Sequence, residues 1–215
     1  MKILIGVPTF ENIYPEVFKA IYDLEKPDKC EVIFEYIKGY DVSAARNKIV
    51  EKGLELEADY ILMVDSDVVI PKNTLSLFLE DPMDVCLGAY AHRSKDNLYN
   101  GNTCLCRLTD ENGIRYFNYP LESQYTAKEL IEFEKNGQFR IVIHGGGMGC
   151  AFIKTDIFNY LDYPWYKWVN YSDKEKSVLS EDLYFCEQCR KFGFPIVMDT
   201  RIRAKHILRH AQDCV

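Results

Sequence analysis

Apolar and polar positions alternate in blocks along the first ninety residues. Ile3 to Val7 is a short apolar run closed by Pro8-Thr9, the pattern of a strand buried on both faces. Pro15 then opens a helix in which Val17, Ala20, Ile21 and Leu24 fall at i, i+3, i+4 and i+7, one apolar stripe that Lys26-Pro27-Asp28 stops. Val32 to Ile37 reads as a second strand. Ser43 is placed to cap a second helix, whose buried side is traced by Ile49, Val50, Gly53, Leu54 and Ala58. Tyr60 to Val64 is a third strand, apolar throughout. Pro71 stands where a third helix should begin, with Leu75, Phe78 and Leu79 following, and Asp84 to Tyr90 is a fourth strand. Strands alternating with helices in this order predict an α/β fold, a mostly parallel twisted sheet flanked by helices. Ligands of such sheets bind outside the carboxyl ends of the strands. Chemistry is therefore expected at Pro8-Thr9, at Asp41 and at Asp65-Ser66-Asp67.

After Tyr90 the rhythm changes. Residues 91–145 are polar and rich in Tyr, with turn signals at Asn97, Asn100-Gly101-Asn102 and Asn112-Gly113. Short antiparallel strands are expected there, and one helix near Thr126 to Asn136. A glycine-rich stretch, His144 to Gly149, leads into a strand from Cys150 to Ile153 and a helix over Thr155 to Leu161. An aromatic loop, Tyr163 to Trp168, precedes a long helix that Ser180 can cap and that runs to about Gly193; Ile196 to Met198 is the last core strand. There is no internal repeat and no linker, so residues 1–215 are expected to form one domain.

Composition narrows the class. The chain has 215 residues, 47% of them hydrophobic, with 15 Tyr, 12 Phe and 2 Trp, too much apolar surface for a disordered protein. A formal net charge of −7 argues against a basic face for nucleic acid, so no nucleic-acid partner is expected. No run of 18 apolar residues exists, so no transmembrane segment is expected. The N-terminus lacks the long apolar core and small-residue cleavage site of a signal peptide. The eight Cys are spread along the chain and read as reduced, buried thiols of a cytoplasmic protein. Cys104-x-Cys106 and Cys186-x-x-Cys189 have spacings seen in zinc sites. The second pair, however, lies in a helical pattern, where a spacing of three simply puts both sulfurs on one face.

The candidate chemistry begins with Asp65 and Asp67. Two acids two residues apart at the mouth of a parallel sheet point to one side and repel unless something positive lies between them. A hard divalent cation held by carboxylates and diphosphate oxygens meets that need; a polar turn that ends the strand is the plainer alternative. Arg46 opens a helix, an unfavourable place for a cation, and could grip the base, ribose or diphosphate of a nucleotide. Glu181 and Asp182 lie in the first turn of a helix, where its dipole stabilises them; one of them can also serve as a general base. Gly146 and Gly147 can form a floor under a ligand. The loop's two Trp and two Tyr offer faces for sugar rings, or staple the core.

Read together, ADYILMVDSDVVIP, the preceding SAARNKIVEKGLE and the later SEDLYFCEQCRKFGFPIVMDTRIRAKH resemble the GT-A glycosyltransferases, especially the family 2-like group. The resemblance covers most of the chain and is weakest over residues 91–145. It implies a metal-dependent, inverting, hexosyltransferase-like enzyme that moves a sugar from a nucleotide-diphosphate sugar to a carbohydrate or other hydroxyl acceptor. Residues 1–90 would be the nucleotide-binding half and 91–215 the acceptor-side half. Pro8, Thr9, Asp41, Arg46, Asp65, Gly146 and Gly147 would bind the donor. Asp65, Asp67 and His206 would hold Mn²⁺, or Mg²⁺; the imidazole suits Mn²⁺ better. His210 competes with His206 for that place. Asp182 would be the base, with Glu181 as its alternative or as the acceptor's partner. A sugar-phosphate nucleotidyltransferase, or a non-catalytic sugar-nucleotide or carbohydrate-binding relative, remains the alternative. The former normally carries a Gly-rich, Arg-bearing loop after the first strand, where this chain has Pro8-Thr9-Phe10-Glu11-Asn12.

Overall fold

The computed structural model describes residues 1–91, 102–107, 124–172 and 177–207. In chain order the strands are β1 (Lys2–Thr9), β2 (Glu31–Lys38), β3 (Tyr60–Val64), β4 (Val68–Val69), β5 (Val85–Ala89), β6 (Asn102–Cys106), β7 (Gln124–Thr126), β8 (Arg140–Ile143), β9 (Gly145–Gly146), β10 (Cys150–Lys154), β11 (Val169–Ser172), β12 (Ser177–Leu179), β13 (Ile196–Arg203) and β14 (Lys205–His206). The α-helices are α1 (Pro15–Tyr22), α2 (Val42–Glu55), α3 (Thr74–Glu80), α4 (Ala127–Lys135) and α5 (Glu181–Lys191). The turn signals at residues 97, 100–101 and 112–113, the competing His210 and Cys214 lie outside the described residues.

Seven strands form one sheet in the order β2-β1-β3-β10-β5-β13-β8. Strands β1, β2, β3, β5 and β13 point one way; β8 and β10 oppose them. The mostly parallel sheet is thus as expected, with one non-local feature. The chain leaves after β5 and returns as β10, which fills the slot between β3 and β5 and pairs with both (Phe152 opposite Leu62 and Cys86). Strand β10 is buried over Cys150 to Ile153 because it has a strand on each side and apolar layers on both faces. Phe152 is sandwiched between Tyr60 and Phe78, with ring centroids 4.5 and 5.2 Å apart. Strand β1 is buried from Ile3 to Thr9, whereas β2, on the sheet edge, is half-exposed.

Local signals were read with small displacements. Helix α2 is capped by Asp41, not Ser43: the Asp41 carboxylate accepts the backbone N–H groups of Ser43 and Ala44 at 3.0 and 3.2 Å. Both residue types cap well, and the one that stands before the first helical turn wins. Helix α3 begins at Thr74 rather than Pro71, because the Thr74 N–H and hydroxyl both bond back to the Pro71 carbonyl and close a turn first. Thr155 to Asn159 is a 3₁₀ turn, shorter than the helix expected to Leu161. Helix α4 has the expected ends, with a reciprocal cap between Thr126 and Glu129. Helix α5 ends at Lys191, and Gly193 (φ 84°) turns the chain two residues later. Among the described residues no helix is long and apolar enough to cross a membrane.

Candidate active site

The carboxyl ends of β1, β3 and β5 open on one side of the sheet, where the N-termini of α2 and α5 also arrive. Strand β3 delivers Asp65 directly after buried Val64. The Asp65 N–H donates to the Gly149 carbonyl at 3.1 Å, and the Val68 N–H donates back to the Asp65 carbonyl at 3.0 Å, folding Asp65 to Val68 into a tight turn. Strand β4 follows and pairs antiparallel with β14, His206 opposite Val68, while the Ile207 N–H donates to the Asp67 carbonyl at 2.8 Å. That small two-stranded sheet brings a histidine from the far end of the described chain onto the Asp67 turn.

The His206 ring is oriented from behind. Its Nδ1 lies 2.8 Å from the Ala91 carbonyl oxygen. A carbonyl only accepts, so Nδ1 carries the hydrogen and Nε2 faces Asp67, 3.5 Å from its Oδ1. A backbone carbonyl holding the other ring nitrogen is how metal-binding histidines are commonly fixed. Neighbouring ligands of a cation bound at about 2.1 Å lie about 3 Å apart, close to this spacing. Asp67 and His206, both largely buried, therefore fit a divalent cation as an adjacent pair. Among the described residues no cluster of three or more His, Cys, Asp or Glu side chains converges on such a point.

Arg46 lies beside Asp65 on the same cavity. Its guanidinium is 3% exposed and forms ion pairs with Asp65 (Nη2 to Oδ1, 2.8 Å) and with Glu181. Burial works against its charge, but Asp65, Glu181 and Asp182 more than offset it and hold it above the usual arginine range. It is thus not a solvated first-turn arginine: it clamps two acids that are far apart in sequence while lining the cavity. Asn47, beside it, holds the aromatic loop, with its Nδ2 donating to the Tyr166 carbonyl at 2.8 Å and its Oδ1 accepting the Tyr166 N–H at 3.1 Å.

Glu181 and Asp182 occupy the first turn of α5. Burial, the largest influence, pushes the Glu181 carboxyl up to about 7; Arg46 pulls it down and Asp182 adds to the rise. The two ion-pair partners respond unequally: Arg46 is held charged, whereas at Glu181 burial outweighs the pairing. The Asp182 carboxyl is also raised, first by burial, with Arg46 opposing. Its Oδ1 accepts the Ser180 hydroxyl and the Leu183 N–H (2.8 Å), so Ser180 braces Asp182 instead of capping the helix.

These groups line one open cavity of about 550 Å³: Pro8, Thr9, Phe10, Tyr40, Asp41, Val42, Arg46, Asp65, Ser66, Asp67, Tyr90, Cys104, Gly147, Glu181, Asp182 and His206. Hydrogen bonds, first from the Ser43 hydroxyl, lower the Asp41 carboxyl below its usual range. Gly146 does not line the cavity. It is paired with Leu105 in the small β6-β9 ladder, and a Cβ there would meet Leu105 and Leu87 side chains at 2.7 and 3.0 Å. Of the expected pair only Gly147 lines the cavity. Tyr90 and Cys104 were not anticipated. The only signal for Tyr90 was its place at the end of a strand, where an aromatic residue looks like core; its hydroxyl accepts the Gly149 N–H at 2.9 Å. Burial raises the Tyr90 phenol well above its usual range.

The aromatic loop divides. Trp165 and Tyr166 are buried, Trp165 donating to the Phe158 carbonyl at 3.0 Å and Tyr166 stacking on Phe185 at 4.8 Å, whereas Tyr163 and Trp168 are exposed. The described cysteines are free, and all but Cys30 are buried. Burial pushes the Cys104 and Cys186 thiols up to about 12.

No family model matches the chain, and no curated protein matches it. Solved structures share the fold. A197 from STIV superposes with a TM-score of 0.59 at 16% identity, covering 97% of this chain and 87% of that one. GalNAc-T7, solved with UDP, GalNAc and Mn²⁺, gives 0.58 at 10% identity over 97% of this chain. S. aureus TarS residues 1–349, solved with UDP-GlcNAc, gives 0.50 at 14% identity over 100% of this chain. This chain spans 44% of the GalNAc-T7 chain and 61% of the TarS chain. The likeness shows that the α/β architecture is that of the GT-A fold.

Proposed function

We propose that this chain is a glycosyltransferase that moves a sugar from a nucleoside-diphosphate sugar to an acceptor hydroxyl with inversion. The observation that carries the reading is the convergence of Asp65, Asp67, His206, Arg46 and Asp182 on one cavity at the carboxyl ends of the strands. Two solved examples of the same fold hold a UDP-sugar, or UDP with GalNAc and Mn²⁺. In this reading residues 1–90 bind the nucleotide beside Pro8, Thr9 and Asp41, and residues 91–215 face the acceptor.

Asp67 and His206 would hold a Mn²⁺ or Mg²⁺ ion, which when bound supplies Lewis-acid neutralisation of the leaving diphosphate. Asp182 takes the proton of the acceptor hydroxyl as that oxygen attacks the anomeric carbon. Ser180 and Leu183 occupy only its Oδ1, so Oδ2 remains for the acceptor. Its raised pKa suits a proton acceptor working near neutrality. Glu181 is paired with Arg46 and so positions the acid pair rather than serving as the base. Arg46 neutralises Asp65 and Glu181, which lets three carboxylates share one small space.

Thermal unfolding with UDP-GlcNAc, UDP-GalNAc and UDP-glucose, each with and without Mn²⁺, tests the reading. A ligand at 100 times its Kd adds about 2.7 kcal/mol of stability. A shift for at least one donor that requires Mn²⁺ is expected; no shift for any of them contradicts the reading.

A further inference from the structure

Tyr90 is a buried polar group lining the cavity that the proposed reaction does not use. It stands at the end of β5, is 7% exposed, and its ring edge meets the His206 ring at 5.5 Å and 89°. Its hydroxyl oxygen accepts the Gly149 N–H at 2.9 Å. A phenol at neutral pH keeps its own proton, which here is directed at the Cys104 sulfur, a weak acceptor that a ligand oxygen can replace.

The glycine-rich stretch is shaped around this hydroxyl. A Cβ on Gly147 would stand 2.2 Å from the Tyr90 oxygen, and a Cβ on Gly149 would stand 2.8 Å from both the Tyr90 oxygen and Asp65 Oδ2. Side chains at either position would drive the phenol out. The same contact shows that the Tyr90 oxygen and Asp65 Oδ2 lie no more than twice that distance apart. Arg46 holds the other Asp65 oxygen, Oδ1, at 2.8 Å. Both residues line the same cavity, so a proton donor and an acceptor stand within reach of one ligand oxygen.

We propose that Tyr90 and Asp65 Oδ2 bracket one hydroxyl of the transferred sugar, Tyr90 donating to that hydroxyl and Asp65 accepting from it. This rests on the reading that the cavity takes a nucleoside-diphosphate sugar. A hydroxyl fits where a ring carbon does not, because it satisfies both groups at once. Tyr90 is then a residue that selects the donor sugar, and an analogue lacking the bracketed hydroxyl leaves Asp65 Oδ2 unpaired and returns the Tyr90 proton to the weaker sulfur acceptor.

The test is calorimetry with Mn²⁺ on wild type and Tyr90→Phe, which keeps the ring. The ligands are UDP, the tightest-binding of UDP-glucose, UDP-galactose, UDP-GlcNAc and UDP-GalNAc, and the monodeoxy analogues of that sugar nucleotide. Wild type should bind one deoxy analogue about 10-fold or more weaker than the parent, the worth of a good hydrogen bond. Tyr90→Phe should bind UDP as wild type does, bind the parent several-fold weaker, and lose most of the penalty for that analogue. A penalty retained in full by Tyr90→Phe, or UDP weakened as much as the sugar nucleotide, overturns the assignment while the sugar-nucleotide reading stands. A wild-type protein that binds neither UDP nor any of the four donors overturns both.

Discussion

Replacing Arg46 with Met keeps most of the side-chain volume and removes the charge that Asp65 and Glu181 share. The cost can be ranked from exposure. The exposed pair Lys19–Asp23, with side chains 68% and 45% exposed, belongs to a class worth about 0–1 kcal/mol. The Arg46 and Glu181 side chains are 3% and 6% exposed, and removing one partner of such a buried pair typically costs about 3–5 kcal/mol, because the remaining charge stays buried. The stranded carboxyl can escape by taking up a proton, as its already raised pKa shows. The loss should therefore be smaller at pH 5, where protonation is easy, than at pH 8, where the charge persists. Urea unfolding of wild type and Arg46→Met at both pH values measures this, with unchanged slopes required for a clean comparison. Arg46→Met combined with Glu181→Gln should recover part of the loss at pH 8. A loss below about 1 kcal/mol at both pH values would refute the view that Arg46 holds the acids together.

Asp182→Asn should leave donor binding intact and slow single-turnover transfer about 10²–10⁴-fold, the usual worth of a positioned base; a dead Glu181→Gln beside a near-normal Asp182→Asn would move the base by one residue. Glu181 also sets a pH trend. Its carboxyl is raised from 4.5 to about 7 on folding, so the folded state binds its proton more tightly and this contribution to stability is present below pH 4.5 and lost as pH rises toward 7. Unfolding free energies of Glu181→Gln relative to wild type across that window should show the decline in wild type and its flattening in the variant.

What the sequence made legible was local. Asp65 and Asp67 follow an apolar strand directly, so their place at its carboxyl end could be read, but the strand period stops at Val64 and a tight turn from Asp65 to Val68 sets their directions. The helix expected near Thr126 to Asn136 likewise stands as α4. What it hid was long-range. The Arg46–Glu181 pair joins residues 135 apart, so no local pattern pointed to it. His206 reached the site only through the resemblance, since its placement depends on the β4-β14 pairing across the chain. The insertion of β10 between β3 and β5 is likewise a pairing choice that no local pattern encodes. Gly146 and Gly147 looked equivalent as neighbouring glycines; β-ladder pairing turned one into a strand residue and left the other on the cavity.

The most direct measurement is release of UDP from UDP-sugars by the purified chain, with Mn²⁺ and with EDTA, for wild type and Asp67→Ala. Wild type should release UDP from at least one of UDP-glucose, UDP-galactose, UDP-GlcNAc and UDP-GalNAc, at first to water and faster once an acceptor hydroxyl is supplied. EDTA should abolish the release, and Asp67→Ala should lose it while keeping the fold, since removing one of several crowded carboxylates relieves repulsion. Release that persists in EDTA and in Asp67→Ala, or no release from any of these donors by wild type, would contradict a metal-assisted sugar transfer at this cavity.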